Sequence, residues 1–186
     1  EVLFAYDAAE ARVALARLEA AAGEGLWAAG YLAYELGFLF EERLLPLLPA
    51  RSRTPLLWFG LYDSPTALTP KDIAEYLAQA GDGLARDIAP DLDRHTYSRA
   101  FAAVRDFIAA GDTYQVNLTM KARFRLEGDV LGLYRRLVAS QKVAYGALIH
   151  ADDHVVLSRS PELFVAGTGD RLQARPMKGT LKRGLS

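Results

Sequence analysis

The chain contains no cysteine among its 186 residues. Disulfides, thiolate nucleophiles and cysteine-held zinc are therefore excluded. An excess of charge of one sign is also lacking, since 22 Lys and Arg stand against 23 Asp and Glu for a net charge of -1. Nucleic-acid binders usually show a basic excess, so no nucleic-acid partner is expected. No apolar run reaches the length of a membrane span, and no basic, apolar, small-residue leader is visible at the start. A cytoplasmic location without membrane association is the resulting expectation. Lysine is scarce: the basic residues are 17 Arg and 5 Lys, and two of the lysines, Lys178 and Lys182, share one loop. Arginine stays protonated, whereas lysine can become a free amine, so each lysine carries some added interest.

What is present is the composition of a folded chain, 51% hydrophobic and 24% charged. That balance reads as globular and long enough for one domain with a core. Asp7 is placed to cap a helix over 8–22, which the glycines at 23 and 25 end. "LWAAGYLAYEL" reads as a buried strand and "PLLWFGLYDSP" as a second, bounded by prolines. Between them, "FLFEERLLPLLP" has helix potential stopped by Pro46 and Pro49. "TPKDIAEYLAQAG" is a short amphipathic helix with Pro70 near its first turn. The stretch 81–91, rich in Gly, Asp and Pro with little periodicity, is the candidate internal linker.

Tyr97, Phe101, Val104 and Ile108 recur at helical spacing in "DRHTYSRAFAAVRDFIAAG", and Gly111 is a natural stop. After it, apolar and polar residues alternate from Tyr114 to Leu126, which predicts a strand with one polar face. "DVLGLYRRLVASQ" predicts another helix. "AYGALIHA", "HVVLSRS", "ELFVAG" and "RLQARP" predict strands joined by short turns, hence antiparallel pairing. Hairpins interspersed with helices define an α+β fold of antiparallel sheets flanked by helices.

Four stretches hold candidate chemistry. Taken alone, "RPMKGTLKRG" reads first as a solvated surface loop. It is not a phosphate-binding loop, because G-x-x-x-x-G-K-[ST] has the opposite order. Its remaining reading is an anion site in which Lys178, crowded by Arg175, Lys182 and Arg183, loses its proton below the reference of about 10.4 and becomes a nucleophile. "SRSPELF" is either an edge-strand break at Pro161 or a rigid bend that presents Glu162 as a general acid, given partial burial. "GDTYQVNL" sets Gln115, Asn117 and Thr119 on one face, which suits a small polar ligand. "HADDH" reads as a polar turn rather than as a pair of metal-binding histidines. His95 lies near a helix N-terminus and is expected at the surface.

In this order and spacing, "GYLAYELGFLFE", "GDTYQVNLT", "SRSPELFV" and "RPMKGTLKRG" resemble the chorismate-utilising enzymes over essentially the whole chain. Within that family the resemblance is to the aminodeoxychorismate synthases, whose lysine in P-[IM]-K-G-T stands here as Lys178. Anthranilate and isochorismate synthases usually carry alanine there. Isochorismate synthases have a lysine base where this chain has Gln115, which has no titratable amine. The resemblance implies Lys178 as nucleophile and Glu162 as acid, with Gly179, Thr180 and Gln115 contacting substrate. It also implies chorismate as substrate, Mg2+ as cofactor and a glutamine amidotransferase subunit as the source of ammonia. The pathway would be that of para-aminobenzoate and folate. Asn117 matches a residue lining the tryptophan site of some relatives.

Members of the family run to more than twice this length, and their magnesium-binding glutamates are expected downstream of Ser186. The 186 residues are thus expected to be a single incomplete chorismate-binding domain, inactive alone. Met177 replaces the usual isoleucine with little change of volume. The nearest alternative is an anthranilate synthase component. An alternative of another class is a non-catalytic tryptophan-binding regulatory module of the same fold.

Overall fold

A computed structural model describes residues 1–176 of the chain. Lys178, Gly179 and Thr180 lie outside the described residues. The chain clusters into two compact units, Glu1–Pro70 with Ile149–Val156, and Lys71–Leu148 with the chain from Leu157 onward. The content is α+β, as expected from the pattern of hairpins and helices.

In the first unit, β1 (Val2–Ala5) leads into α1 (Ala8–Gly23). The Asp7 carboxylate starts that helix by accepting from the amides of Ala9 and Glu10, both at 2.9 Å, which satisfies two otherwise orphaned donors. β2 (Trp27–Leu32) and β3 (Leu57–Tyr62) complete an antiparallel sheet in the order β1-β3-β2. Phe4, Trp58 and Tyr31 lie in one row across it, because Trp58 is the register partner of both. The next row, Ala5, Leu57 and Leu32, points to the other face. Ala5 and Leu57 are fully buried there with Ala11 and Ala14 of α1, Leu36, Leu39 and Leu56.

The strand expected over "LWAAGYLAYEL" stops at Leu32. Ala33 donates to Leu56 O at 2.8 Å and the chain then winds into a 3-10 turn over Tyr34–Phe40. The helix expected in "FLFEERLLPLLP" is likewise reduced to that turn and a second, Leu45–Leu47. Pro46 sits inside the second turn, where a missing amide and a ring clash prevent a longer helix.

In the second unit, α2 (Pro70–Ala78) precedes β4 (Gly83–Pro90). The stretch 81–91, expected as an internal linker, therefore holds a strand, which pairs antiparallel with β5 (Ala122–Gly128). Its alternation is interrupted by a bulge between Arg86 and Ala89, where Asp87 takes a positive φ of 55°. A bulge shifts one residue out of phase, which hides a strand from a search for period two. Asp tolerates the left-handed region, and Arg125 reaches the Asp87 carboxylate at 3.2 Å.

α3 (Arg94–Ala110) begins where Asp93 accepts from the Thr96 amide at 2.6 Å and ends at Gly111 with φ 83°. Its apolar stripe is real but uncovered, since Tyr97, Phe101 and Ile108 all remain exposed. α4 (Val130–Ser140) is capped by Asp129, which accepts from the amides of Leu131 at 3.0 Å and Gly81 at 2.9 Å. Glycine is required where α4 meets β4: a Cβ on Gly132 would overlap Gly81 O, and one on Gly83 would overlap Asp129 O. Arg135 then donates to Ala80 O at 2.9 Å, tying α4 to the end of α2.

β6 (Tyr145–His150) and β7 (Val155–Ser160) form one two-stranded sheet. β8 (Leu163–Thr168) and β9 (Arg171–Arg175) form another, antiparallel, turning at Gly169 with φ 60°. The strand expected from Tyr114 becomes regular only at Ala122. Pairing with β4 ends there: Asp91 still exchanges bonds with Lys121, but residues 114–120 have no ladder partner among the described residues. Alternation marks the capacity for a strand, whereas a strand needs a neighbour's backbone.

Candidate functional site

The bend after β7 is built by one hydroxyl. Ser160 Oγ accepts from the Glu162 amide and donates to Glu162 O, both at 3.1 Å. Pro161 between them has a restricted φ, so few torsions separate the strand end from Glu162. The Glu162 side chain is exposed, and the described residues do not supply the partial burial that its acid reading calls for.

Gln115 and Asn117 lie together on an exposed segment, with Gln115 Nε2 donating to Asn117 Oδ1 at 3.5 Å. Flanking hydroxyls hold the backbone here. Thr113 Oγ1 donates to Gln115 O at 3.0 Å and Thr119 Oγ1 to Asn117 O at 3.1 Å. The Gln115 backbone amide donates in turn to Thr113 Oγ1 at 3.4 Å. Among the described residues, no hydrogen bond joins Glu162 to Gln115 or Asn117. Arg175, the first residue of the lysine loop's sequence, ends β9 and is exposed.

Sequence reading passed over Arg159, inside "SRSPELF". Its Nη2 donates to Gln141 O at 2.6 Å, and its guanidinium lies 6.0 Å from the ring centroid of Tyr134. The one signal available was its place beside Ser160 in a motif read for the carboxylate.

The first unit holds a hydrogen-bonded chain that sequence reading also missed. His154 Nδ1 lies 2.6 Å from Asp153 Oδ1, and His154 Nε2 lies 2.6 Å from the Tyr31 hydroxyl. An ionised carboxylate only accepts, so Nδ1 carries the proton; in the neutral ring Nε2 then accepts from Tyr31. The His154 bond holds the Asp153 carboxyl below its usual range, and Tyr6 adds a further bond to it. Burial raises the Tyr31 phenol. His154 thus works as a structural link, and "HADDH" is a turn closed by Ala151 donating to His154 O at 3.0 Å. Among the described residues, no group of three or more His, Asp or Glu is placed to hold a metal ion. His95 is exposed, as expected near the start of α3.

The motifs and the fold define a class. The chain belongs to the chorismate-binding enzyme family, which matches residues 4–186. Particular relatives narrow this. The aminodeoxychorismate synthase component 1 of Salmonella typhimurium is 31% identical over 176 residues, covering 84% of this chain and 38% of that protein. The protein of the same name from Escherichia coli is 27% identical over 176 residues, with the same coverage of 84% and 38%. The anthranilate synthase component 1 of Thermus thermophilus is 33% identical over 94 residues, covering 50% of this chain and 20% of that protein. The chain thus spans 38% of the length of the Salmonella and Escherichia relatives it matches. No solved structure matches the chain significantly. Among the described residues, no helix is long and apolar enough to cross a membrane.

Proposed function

We propose that the chain is part of an aminodeoxychorismate synthase component 1, which converts chorismate and ammonia to 4-amino-4-deoxychorismate. The observation that carries this reading is Lys178 within "RPMKGT". Relatives named aminodeoxychorismate synthase component 1 cover 84% of the chain in three cases, which supports it.

In this reading, the Lys178 amine attacks C2 of the chorismate ring. The double bonds shift, the C4–O bond breaks, and Glu162 gives its proton to the departing hydroxyl, which leaves as water. Ammonia then adds at C4, the double bonds shift back and the C2–N bond to Lys178 breaks. The proton that the Lys178 nitrogen loses after its attack on C2 restores Glu162, and the proton that the new C4 ammonium loses passes to the Lys178 nitrogen, which leaves as the free amine. Splitting one poor substitution into two steps is what a covalent nucleophile supplies. Gly179 and Thr180 contact a substrate carboxylate, and Gln115 offers a neutral amide that cannot activate water in its place. A glutamine amidotransferase subunit supplies the ammonia, in the cytoplasm and toward para-aminobenzoate. Asn117 belongs to a tryptophan-binding surface. Among the described residues, no group of three or more His, Asp or Glu is placed to hold Mg2+, whose ligands this reading assigns to the family's residues downstream of Ser186.

The test is Lys178→Ala in the intact protein, assayed for aminodeoxychorismate at low ammonium, together with intact mass after trapping with chorismate. Loss of turnover and of a chorismate-derived adduct is expected. Unchanged turnover at low ammonium would refute the nucleophile. Anthranilate formation instead would favour the second reading, anthranilate synthase component 1, which rests on relatives of that name covering 50% and 67% of the chain.

A further inference from the structure

Arg159 is a partly buried cation without a carboxylate partner among the described residues. Its Nε is buried with no hydrogen-bond partner. Charge pairing therefore does not explain why an arginine stands here. Its contacts do suggest a role. Nη2 donates to Gln141 O, the carbonyl just beyond α4, at 2.6 Å. The guanidinium faces the Tyr134 ring of α4 at 6.0 Å. Nη1 lies over Gly146 of β6, where any Cβ would overlap it and would also come 3.1 Å from the Tyr134 hydroxyl. One planar group thus joins β7 to α4, to the segment after α4, and to β6. A planar fork fixed by a carbonyl and a ring face holds orientation as well as distance, which an ammonium does not.

Two residues, Ser160 and Pro161, separate Arg159 from Glu162, and the torsions between them are restrained by the Pro161 ring and by the paired bonds of Ser160 Oγ. We propose that Arg159 is a positioning residue for Glu162, locking the end of β7 against α4 so that the backbone presenting Glu162 is held in one place. This inference rests on the reading of Glu162 as the acid. Arg159 touches no reacting atom in it.

The experiment is a double-mutant cycle in the intact protein, with chorismate and an ammonium salt as substrates. Arg159→Met keeps the aliphatic stem and removes the fork. Misplacement of a reacting group by about 1 Å can cost about 10²-fold in rate, so a fall in kcat of about tenfold or more is expected, with KM for chorismate unchanged. In a Glu162→Gln background the same substitution should change kcat by less than about twofold, because groups acting as one unit are not additive. An equal loss in both backgrounds, or no loss in the first, would overturn the positioning role. If Glu162→Gln lowers turnover while Arg159→Met does not, only the positioning role falls. If Glu162→Gln itself leaves turnover intact, the acid reading falls and this inference falls with it. Should Arg159→Met fail to fold by thermal melt, Arg159→Lys enters the same cycle and is read by the same outcomes.

Discussion

Tyr31→Phe isolates a single bond, because it removes one oxygen and leaves the ring in place. The hydroxyl lies 2.6 Å from His154 Nε2, and the two rings meet edge-on with centroids 5.7 Å apart. The ring contact survives the substitution, so only the hydrogen bond is lost. An ordinary hydrogen bond contributes about 0.5–1.5 kcal/mol net, and leaving a buried partner unpaired costs about 1–3 kcal/mol. The His154 side chain retains 23% of its exposure, so water replaces part of the loss and the lower range applies. A cost of about 1 kcal/mol is expected, which corresponds to roughly fivefold in an opening equilibrium.

The place to read that cost is the turn that His154 anchors. The Ala151 amide donates to His154 O at 3.0 Å, so its hydrogen exchange reports opening of the turn. Exchange at Ala151 should quicken by roughly fivefold in Tyr31→Phe. Completing the cycle with His154→Leu and the double variant should give a coupling near 1 kcal/mol. Additivity within about 0.3 kcal/mol would mean that the bond contributes nothing and would refute the reasoning.

Leu57 is fully buried beside Ala5, Ala11 and Ala14, and Leu57→Ala should destabilise the protein by about 2–5 kcal/mol in urea unfolding, whereas a change under about 1 kcal/mol would mean that the site collapses to fill the gap. Asp93 carries the pH dependence of α3. Its bond from the Thr96 amide lowers its pKa in the folded state. The unfolded chain therefore binds the proton more tightly, and the capping contribution is complete above the unfolded value of about 3.9. It is lost as pH falls through the lower folded value. Amide exchange in the first turn of α3 should quicken over that acid window, and Asp93→Asn, which caps without a titrating group, should abolish the change.

Several elements were legible because their causes are local. Asp7, Asp93 and Asp129 each stand just before a helix whose amides they accept; Asp7 was read as a start signal, and the other two open stretches read as helices. The hairpin through Gly169 was legible for the same reason, a turn residue between two short alternating runs. β4 was not, because the bulge at Asp87 breaks its alternation and its glycines imitate a linker. The segment from Tyr114 to Met120 erred the other way, with a strand's pattern and no described neighbour to pair with. Within the candidate site, the bend that presents Glu162 was readable from Ser160 and Pro161. The exposure of Glu162 and the anchoring of β7 by Arg159 were not.

By itself the sequence determined the residue chemistry and the short-range structure. A lysine stands at 178 within "RPMKGT", a Ser-Pro-Glu bend follows β7, and the helices are capped within three or four residues. The tertiary structure decided which backbones pair and which side chains meet. Tyr31 and His154 are 123 residues apart in the chain and 2.6 Å apart in space. The physical reason is reach: capping and turn bonds close over a few torsions and leave their mark in neighbouring letters. A contact across strands depends on the register of a whole sheet, and no short stretch of sequence encodes that register.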